Sequence, residues 1–402
     1  MTAIGFHKSK LFPIDLSTDA RRRHLYLIGA TGVGKSSLME RLALSDIRAG
    51  HGVCFIDPHG QSAQRIADNV PIERTEDVCY LDYDPEHPFG LNILEDRSNK
   101  SLTVENIVSM FWSIWPSGMG PNNEDIIRNA IYLLLDTEGT SLVDVLTLLS
   151  EQTYRTSLLQ RCANDVVRQF WETDFIRKKP DELTSTTNKL RAFLSNPYLA
   201  DILRGPSTVN VSHLMNRGKI LLLNLSKGSW GQVPAQLVGC LFVIAIAQAA
   251  EKRTHVPEEA RRDFYLYVDE VENFQNDAFT SILSEARKMR LSLTLANQFY
   301  AQLPEKLRGA ISGNVATLVA FRIGAEDSEL FGRMLMHGTP ANLQDTGNYD
   351  AWVRTLADGS PTDAVLMQTY PPDVETLNRL SAIKRRSQAR HTRSSRGRAK
   401  RR

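Results

Sequence analysis

The segment His24-Leu25-Tyr26-Leu27-Ile28-Gly29-Ala30-Thr31-Gly32-Val33-Gly34-Lys35-Ser36-Ser37 decides the fold. Leu25 to Ile28 is a short apolar run with one aromatic, the composition of a parallel strand buried on both faces. The pattern G-x-x-x-x-G-K-S follows from Gly29 to Ser36, and then Leu38, Met39, Leu42 and Leu44 recur along a helix-forming segment. Strand, glycine loop and helix start, in that order, form the context a phosphate-binding loop requires. Gly29, Gly32 and Gly34 let the backbone turn with its N–H groups inward, with Ala30, Thr31 and Val33 between them, to make a nest for phosphate oxygens. The N-terminus of the helix that opens at Lys35, Ser36 and Ser37 adds its partial positive charge. In such a loop Lys35 reaches the β- and γ-phosphates and the Ser36 hydroxyl holds Mg²⁺. The loop predicts a P-loop nucleoside triphosphatase that uses ATP and Mg²⁺.

The rest of the composition agrees with a large α/β core plus a second unit. The chain has 402 residues, 42% hydrophobic and 23% charged, as in ordinary globular proteins. Cys54, Cys79, Cys162 and Cys240 lie far apart with no C-x-x-C spacing, which argues against a zinc site and fits a reducing, cytoplasmic setting. The longest apolar run, Leu237 to Ala247, is eleven residues and reads as a core helix rather than a membrane span. The net charge of +2 conceals a split. Ten Lys and Arg and no acids lie between Lys384 and Arg402; removing them from the 48 leaves 38 against 46 acids, a body near −8 with a basic tail.

Taken in order, residues 1–23 read as a leader that forms a strap or edge strand. Residues 24–97 give the first part of a central, mainly parallel sheet, with Gly52 to Asp57 and Val78 to Leu81 as its next strands. From 98 to 216 the apolar spacing is helical, as in Ile107/Phe111 and Ile126/Ile127/Ile131/Leu134, which predicts an inserted all-helical domain. Strand patterns return over 217–380, at Ile220 to Leu225, Phe264 to Val268, Leu291 to Asn297 and Val315 to Phe321, with a closing hairpin across Asp358-Gly359. Beyond Ser381 the chain is rich in Arg, Ser, Gly and Ala, and residues 381–402 read as a disordered basic tail.

Tyr265-Leu266-Tyr267-Val268-Asp269-Glu270 is a Walker-B type strand. It brings Asp269 out at the sheet's carboxyl edge to support the Mg²⁺ shell, and Glu270 to orient and polarise the attacking water. Asp57 and Asp82 compete for the metal role, being acids at other strand ends. Gln298 ends the next strand and reads either as a γ-phosphate sensor or as a helix cap; Arg287 reads either as an arginine finger or as a solvated surface residue.

The string Val268-Asp269-Glu270-Val271-Glu272-Asn273-Phe274, the segment Ser284-Glu285-Ala286-Arg287-Lys288 and the strand Leu291 to Gln298 resemble the HerA/FtsK superfamily. Within it the similarity is to the coupling-protein ATPases of conjugation and type IV secretion. Gly29 to Ser36, Ile56-Asp57-Pro58-His59-Gly60 and Val319-Ala320-Phe321-Arg322 agree, so the resemblance spans about residues 24–370. It implies a RecA-like core, a homo-hexameric ring that pulls DNA through a central channel on ATP hydrolysis, and a helical unit that receives the DNA–protein substrate. It also implies that Arg287 acts in trans on a neighbour's nucleotide, with Arg322 as a second candidate, and that Gln298 follows it on the next strand. Anchored members carry transmembrane helices ahead of the core, and 23 residues precede it here, so a membrane-channel partner would act in trans or the motor works free of the inner membrane. Two rival functions use the same chemistry: an ATP-gated adaptor that recruits relaxase or effector proteins, and a packaging or defence motor of a phage or mobile element.

Overall fold

The computed structural model describes residues 1–335, 343–372 and 374–393. Its centre is an 11-stranded sheet. The strands are β1 (Thr2–His7), β2 (Pro13–Leu16), β3 (Leu25–Ile28), β4 (Gly52–Asp57), β5 (Val78–Leu81), β6 (Ile220–Asn224), β7 (Phe264–Val268), β8 (Leu291–Asn297), β9 (Thr317–Ala320), β10 (Asp350–Arg354) and, beyond a small hairpin of β11 (Leu356–Ala357) and β12 (Ser360–Pro361), β13 (Val365–Thr369). Their order is β2-β1-β13-β10-β9-β3-β8-β7-β4-β6-β5. From β9 to β5 every neighbouring pair is parallel, and the four strands at the other end are antiparallel.

The alternation of side chains divides the core in two. Leu25 and Leu27 of β3 face a cluster with Leu38, Leu42 and Ile66 from the helices Lys35–Arg48 and Gln61–Asn69. Tyr26 and Ile28 face the other cluster, which runs on through Leu241 and Phe242 into Ile107, Ile131 and Trp171. Apolar side chains on both faces are what a parallel sheet covered by helices demands. Between β5 and β6 the described secondary structure is helical throughout, and these helices share one core with the sheet. The link is the helix Gln232–Glu251, whose Gln248 side chain donates to Thr103 Oγ1 at 2.8 Å. The stretch Gln232–His255 is long and apolar enough to cross a membrane by length and composition, yet 78% of its apolar window is buried inside the fold. The eleven-residue apolar run understates this helix, because small and polar residues at both ends extend it.

The leader joins the antiparallel end: β1 pairs with β13, Gly5 opposite Thr369, with β2 outside it. The expected closing hairpin is the pair β10 and β13, Asp350 opposite Gln368.

The tail departs from expectation. Leu380–His391 is a helix laid along the edge strand β5. Ile383 is buried, and the Ser387 hydroxyl accepts from the Tyr80 amide at 2.8 Å and donates to the Val78 carbonyl at 3.2 Å. Lys384 pairs with Asp82 at 2.6 Å, Arg386 with Glu76 at 3.0 Å, and Gln388 Nε2 donates to Asp84 at 2.7 Å. Composition misled the reading because the apolar surface this helix needs is supplied by β5, not by the helix itself. Residues 394–402 of the basic tail lie outside the described residues.

Candidate nucleotide site

The site stands at the carboxyl ends of the parallel strands, where helix N-termini and strand ends leave a crevice. Ile28 leads into the glycine loop, and Gly32 and Gly34 take φ of 78° and 117°, values that only glycine adopts readily. The loop is tied down on both sides. The Ala30 amide donates to the Arg322 carbonyl at 2.9 Å, and the Tyr349 amide donates to the Val33 carbonyl at 2.8 Å. Lys35 Nζ folds over the loop, donating to the Gly29 and Ala30 carbonyls at 2.6 and 2.9 Å, and burial lowers its pKa.

β7 delivers Asp269 against the loop. The Ser36 hydroxyl donates to Asp269 Oδ2 at 2.7 Å, and burial pushes the Asp269 carboxyl up. A hydroxyl and a carboxylate side by side are hard oxygen donors that fit Mg²⁺; as two ligands they suit an ion that arrives with phosphate oxygens completing its shell. Among the described residues there is no cluster of three or more His, Cys, Asp or Glu that would hold a metal on its own.

Glu270 follows in left-handed backbone, φ 46°. Its Oε1 accepts from His59 Nε2 at 2.8 Å and Gln298 Nε2 at 3.2 Å; Oε2 accepts from Asn273 Nδ2 at 2.9 Å and Lys227 Nζ at 3.3 Å. The hydrogen bond from His59, with the positive charges of His59 and Lys227, holds the carboxyl down at about 2. Two residues further, burial pushes Glu272 up to about 7, and its Oε2 is buried without a partner. The resulting cleft has a volume of about 230 Å³; Lys35, Ser36, His59, Asp269, Glu270, Gln298 and Tyr349 line it together with the glycine loop.

The structure therefore gathers Gly29 to Ser37, Asp269, Glu270 and Gln298 in one place. The rival acids do not line the cleft, although Asp57 ends the strand beside Asp269. Asp57 accepts from the His59 and Ala63 amides at 2.8 and 2.9 Å and so caps its own loop and helix, while Asp82 faces Lys384 at the sheet edge. Arg287 is on the surface, 52% exposed, 3.2 Å from Asp19, and does not line the cleft of its own subunit. The Arg322 side chain is exposed too, its carbonyl alone serving the loop. His59, Lys227, Asn273 and Tyr349 escaped the sequence reading. His59 and Asn273 lay inside strings already singled out, but Lys227, at the start of a short helix, and Tyr349, in a turn, reach the site from segments that carry no motif.

A parallel sheet with a glycine loop after one strand and an Asp-Glu pair two strands away defines the class: an α/β P-loop fold of RecA-like architecture. Solved structures similar to it include a bacterial conjugative coupling protein. The bacterial conjugative coupling protein TrwB lacking 70 N-terminal residues superposes with a TM-score of 0.65 at 16% identity, covering 91% of this chain and 88% of that one. TrwB in complex with ADP and Mg²⁺ gives 0.64 at 17% identity, over 90% and 88%. VirB4 of Thermoanaerobacter pseudethanolicus gives 0.65 at 12% identity, over 92% and 97%. No protein-family model and no curated protein matches the sequence.

Proposed function

We propose that this chain is a Mg²⁺-dependent ATPase that moves DNA, or a DNA–protein complex, in the manner of a conjugative coupling protein. The observation that carries the reading is the 2.7 Å contact between Ser36 of the phosphate loop and Asp269 of the Walker-B strand, with Glu270 beside it. On this reading the amides of the glycine loop and Lys35 bind the phosphates, while Ser36 and Asp269 hold Mg²⁺, which neutralises charge on the phosphate oxygens. Glu270 accepts a proton from the attacking water and Gln298 orients it. Arg287, exposed and absent from the lining of its own cleft, supports the developing charge in a neighbour's site, so the working unit is a ring, proposed as a homo-hexamer. Residues 98–216 then form the unit that meets relaxase or another secreted protein, with the core split into 24–97 and 217–380. The motor would work at the cytoplasmic face of the inner membrane, with a channel partner in trans. The likeness to TrwB, a plasmid coupling protein also solved with ADP and Mg²⁺, supports this reading.

The test is steady-state ATP hydrolysis by the full chain with and without duplex DNA. Turnover that DNA stimulates, and that Lys35→Ala reduces by at least about 100-fold, is the expected result. Hydrolysis indifferent to DNA replaces the translocase with the ATP-gated adaptor.

A further inference from the structure

The Glu270 carboxylate has no capacity left for a water. A carboxylate offers about four lone-pair positions, and His59, Gln298, Lys227 and Asn273 take two on each oxygen. The donors come from separate elements: His59 from the loop after β4, Lys227 from the start of the short helix Lys227–Trp230 after β6, Gln298 from the end of β8 and Asn273 from the turn after β7. Holding these strand ends together does not require the carboxylate, since the sheet already fixes them in register. Two of the donors carry or acquire positive charge, and both side chains reach solvent, His59 at 56% exposure and Lys227 at 37%. His59 lines the same cleft as Lys35 and Ser36. Cations that can move, beside a cleft built for polyphosphate, have two anions to choose between, and the more highly charged one attracts them more strongly.

We propose that His59 and Lys227 are positioning residues that hold the Glu270 carboxylate in a restrained arrangement, and that a polyphosphate entering the cleft draws these cations onto itself and frees the carboxylate for water. The inference rests on the nucleotide reading above. It gives the chain a way to keep its water-activating carboxylate engaged until the site is loaded, because the charges that restrain Glu270 are the ones that the incoming phosphate recruits.

The test is a double-mutant cycle in the full chain. Urea-unfolding midpoints of wild type, His59→Ala, Glu270→Ala and the double variant are measured without nucleotide, then with saturating Mg²⁺ and a non-hydrolysable ATP analogue. The expected result is non-additive effects without the analogue and additive effects with it. Equal coupling in both conditions overturns the exchange, and no coupling in either overturns the restraint. The wild-type midpoint itself separates the two readings: no shift with the analogue rejects nucleotide binding and this inference with it, whereas a shift with unchanged coupling rejects the exchange alone. Turnover supplies a second readout. His59→Ala and Lys227→Ala should each raise KM for Mg²⁺–ATP by about threefold, because the phosphate loses a cation that it would recruit, and an unchanged KM overturns the exchange. His59→Gln, which restores a neutral donor to Glu270 but no charge for the phosphate, should leave KM raised. A fall in kcat to the level of Glu270→Gln instead means that His59 assists the chemistry, and the restraint is overturned.

Discussion

At the scale of single residues, two glycines of one loop separate steric from conformational need. Gly32 has φ 78° and open space where a Cβ would stand; Gly34 has φ 117°, and a Cβ there would come within 3.0 Å of the Tyr349 ring and 3.3 Å of Phe321. Gly32→Ala should therefore cost only backbone strain, about 1 kcal/mol, while Gly34→Ala adds overlap and should cost about 3 kcal/mol in urea unfolding. Glu272 gives a pH signature of its own. Its carboxyl sits at about 7 in the folded chain because it is buried beside Glu270 and Asp269, against an ordinary value of 4.5. Between those two values the folded state keeps a proton that the unfolded state has lost, so this group's contribution to stability falls as pH rises through that window and stays low above it. Glu272→Gln should remove the slope and be more stable than wild type at pH 8 by about 2 kcal/mol. Unfolding at pH 5, 6.5 and 8 measures it, and parallel curves for the two proteins would rule it out.

At the scale of elements, the helix Leu380–His391 has a definite task. β5 ends the sheet, and an uncovered edge presents unpaired amides and carbonyls to other chains. Ser387 occupies the Tyr80 amide and the Val78 carbonyl, and Ile383 fills the surface beneath. Truncation after Arg379 should lower the melting temperature and cause aggregation detectable by light scattering. Ser387→Ala alone should cost about 1–2 kcal/mol, since it leaves a buried amide unpaired. This element marks the limit of sequence reading. β3, the glycine loop and β7 announce themselves because each carries its own signal: apolar run, glycine spacing, acid at the strand end. The C-terminal helix does not, because its partners, the apolar surface of β5, ion pairs to Glu76 and Asp82 and a hydrogen bond from Gln388 to Asp84, lie some 300 positions away. The same holds within the site. Ser36 with Asp269 was legible from motif chemistry, while Lys227 and Tyr349 arrive through the topology of the sheet, which brings distant strand ends to one edge.

At the scale of the whole molecule, the proposed ring needs a cation delivered to each cleft across a subunit interface. Arg287 cannot supply it to its own site, because it lies on the surface beside Asp19 and does not line that cleft. The pairing with Asp19 is exposed at both ends and so is weak, well under the worth of a charge-assisted contact to phosphate. A neighbouring subunit that presents Arg287 across an interface would exchange one partner for the other at little cost. Two inactive variants test this arrangement. Arg287→Ala keeps an intact cleft but offers no cation to its neighbour, while Lys35→Ala keeps the cation but binds phosphate poorly. Each alone should hydrolyse ATP at a small fraction of the wild-type rate. Mixed in equal amounts, they should regain turnover, because intact clefts in Arg287→Ala subunits then lie beside subunits that still carry Arg287. Activity in the mixture no greater than the mean of the two alone would mean that Arg287 serves no neighbour, and the ring reading would lose its chemical basis.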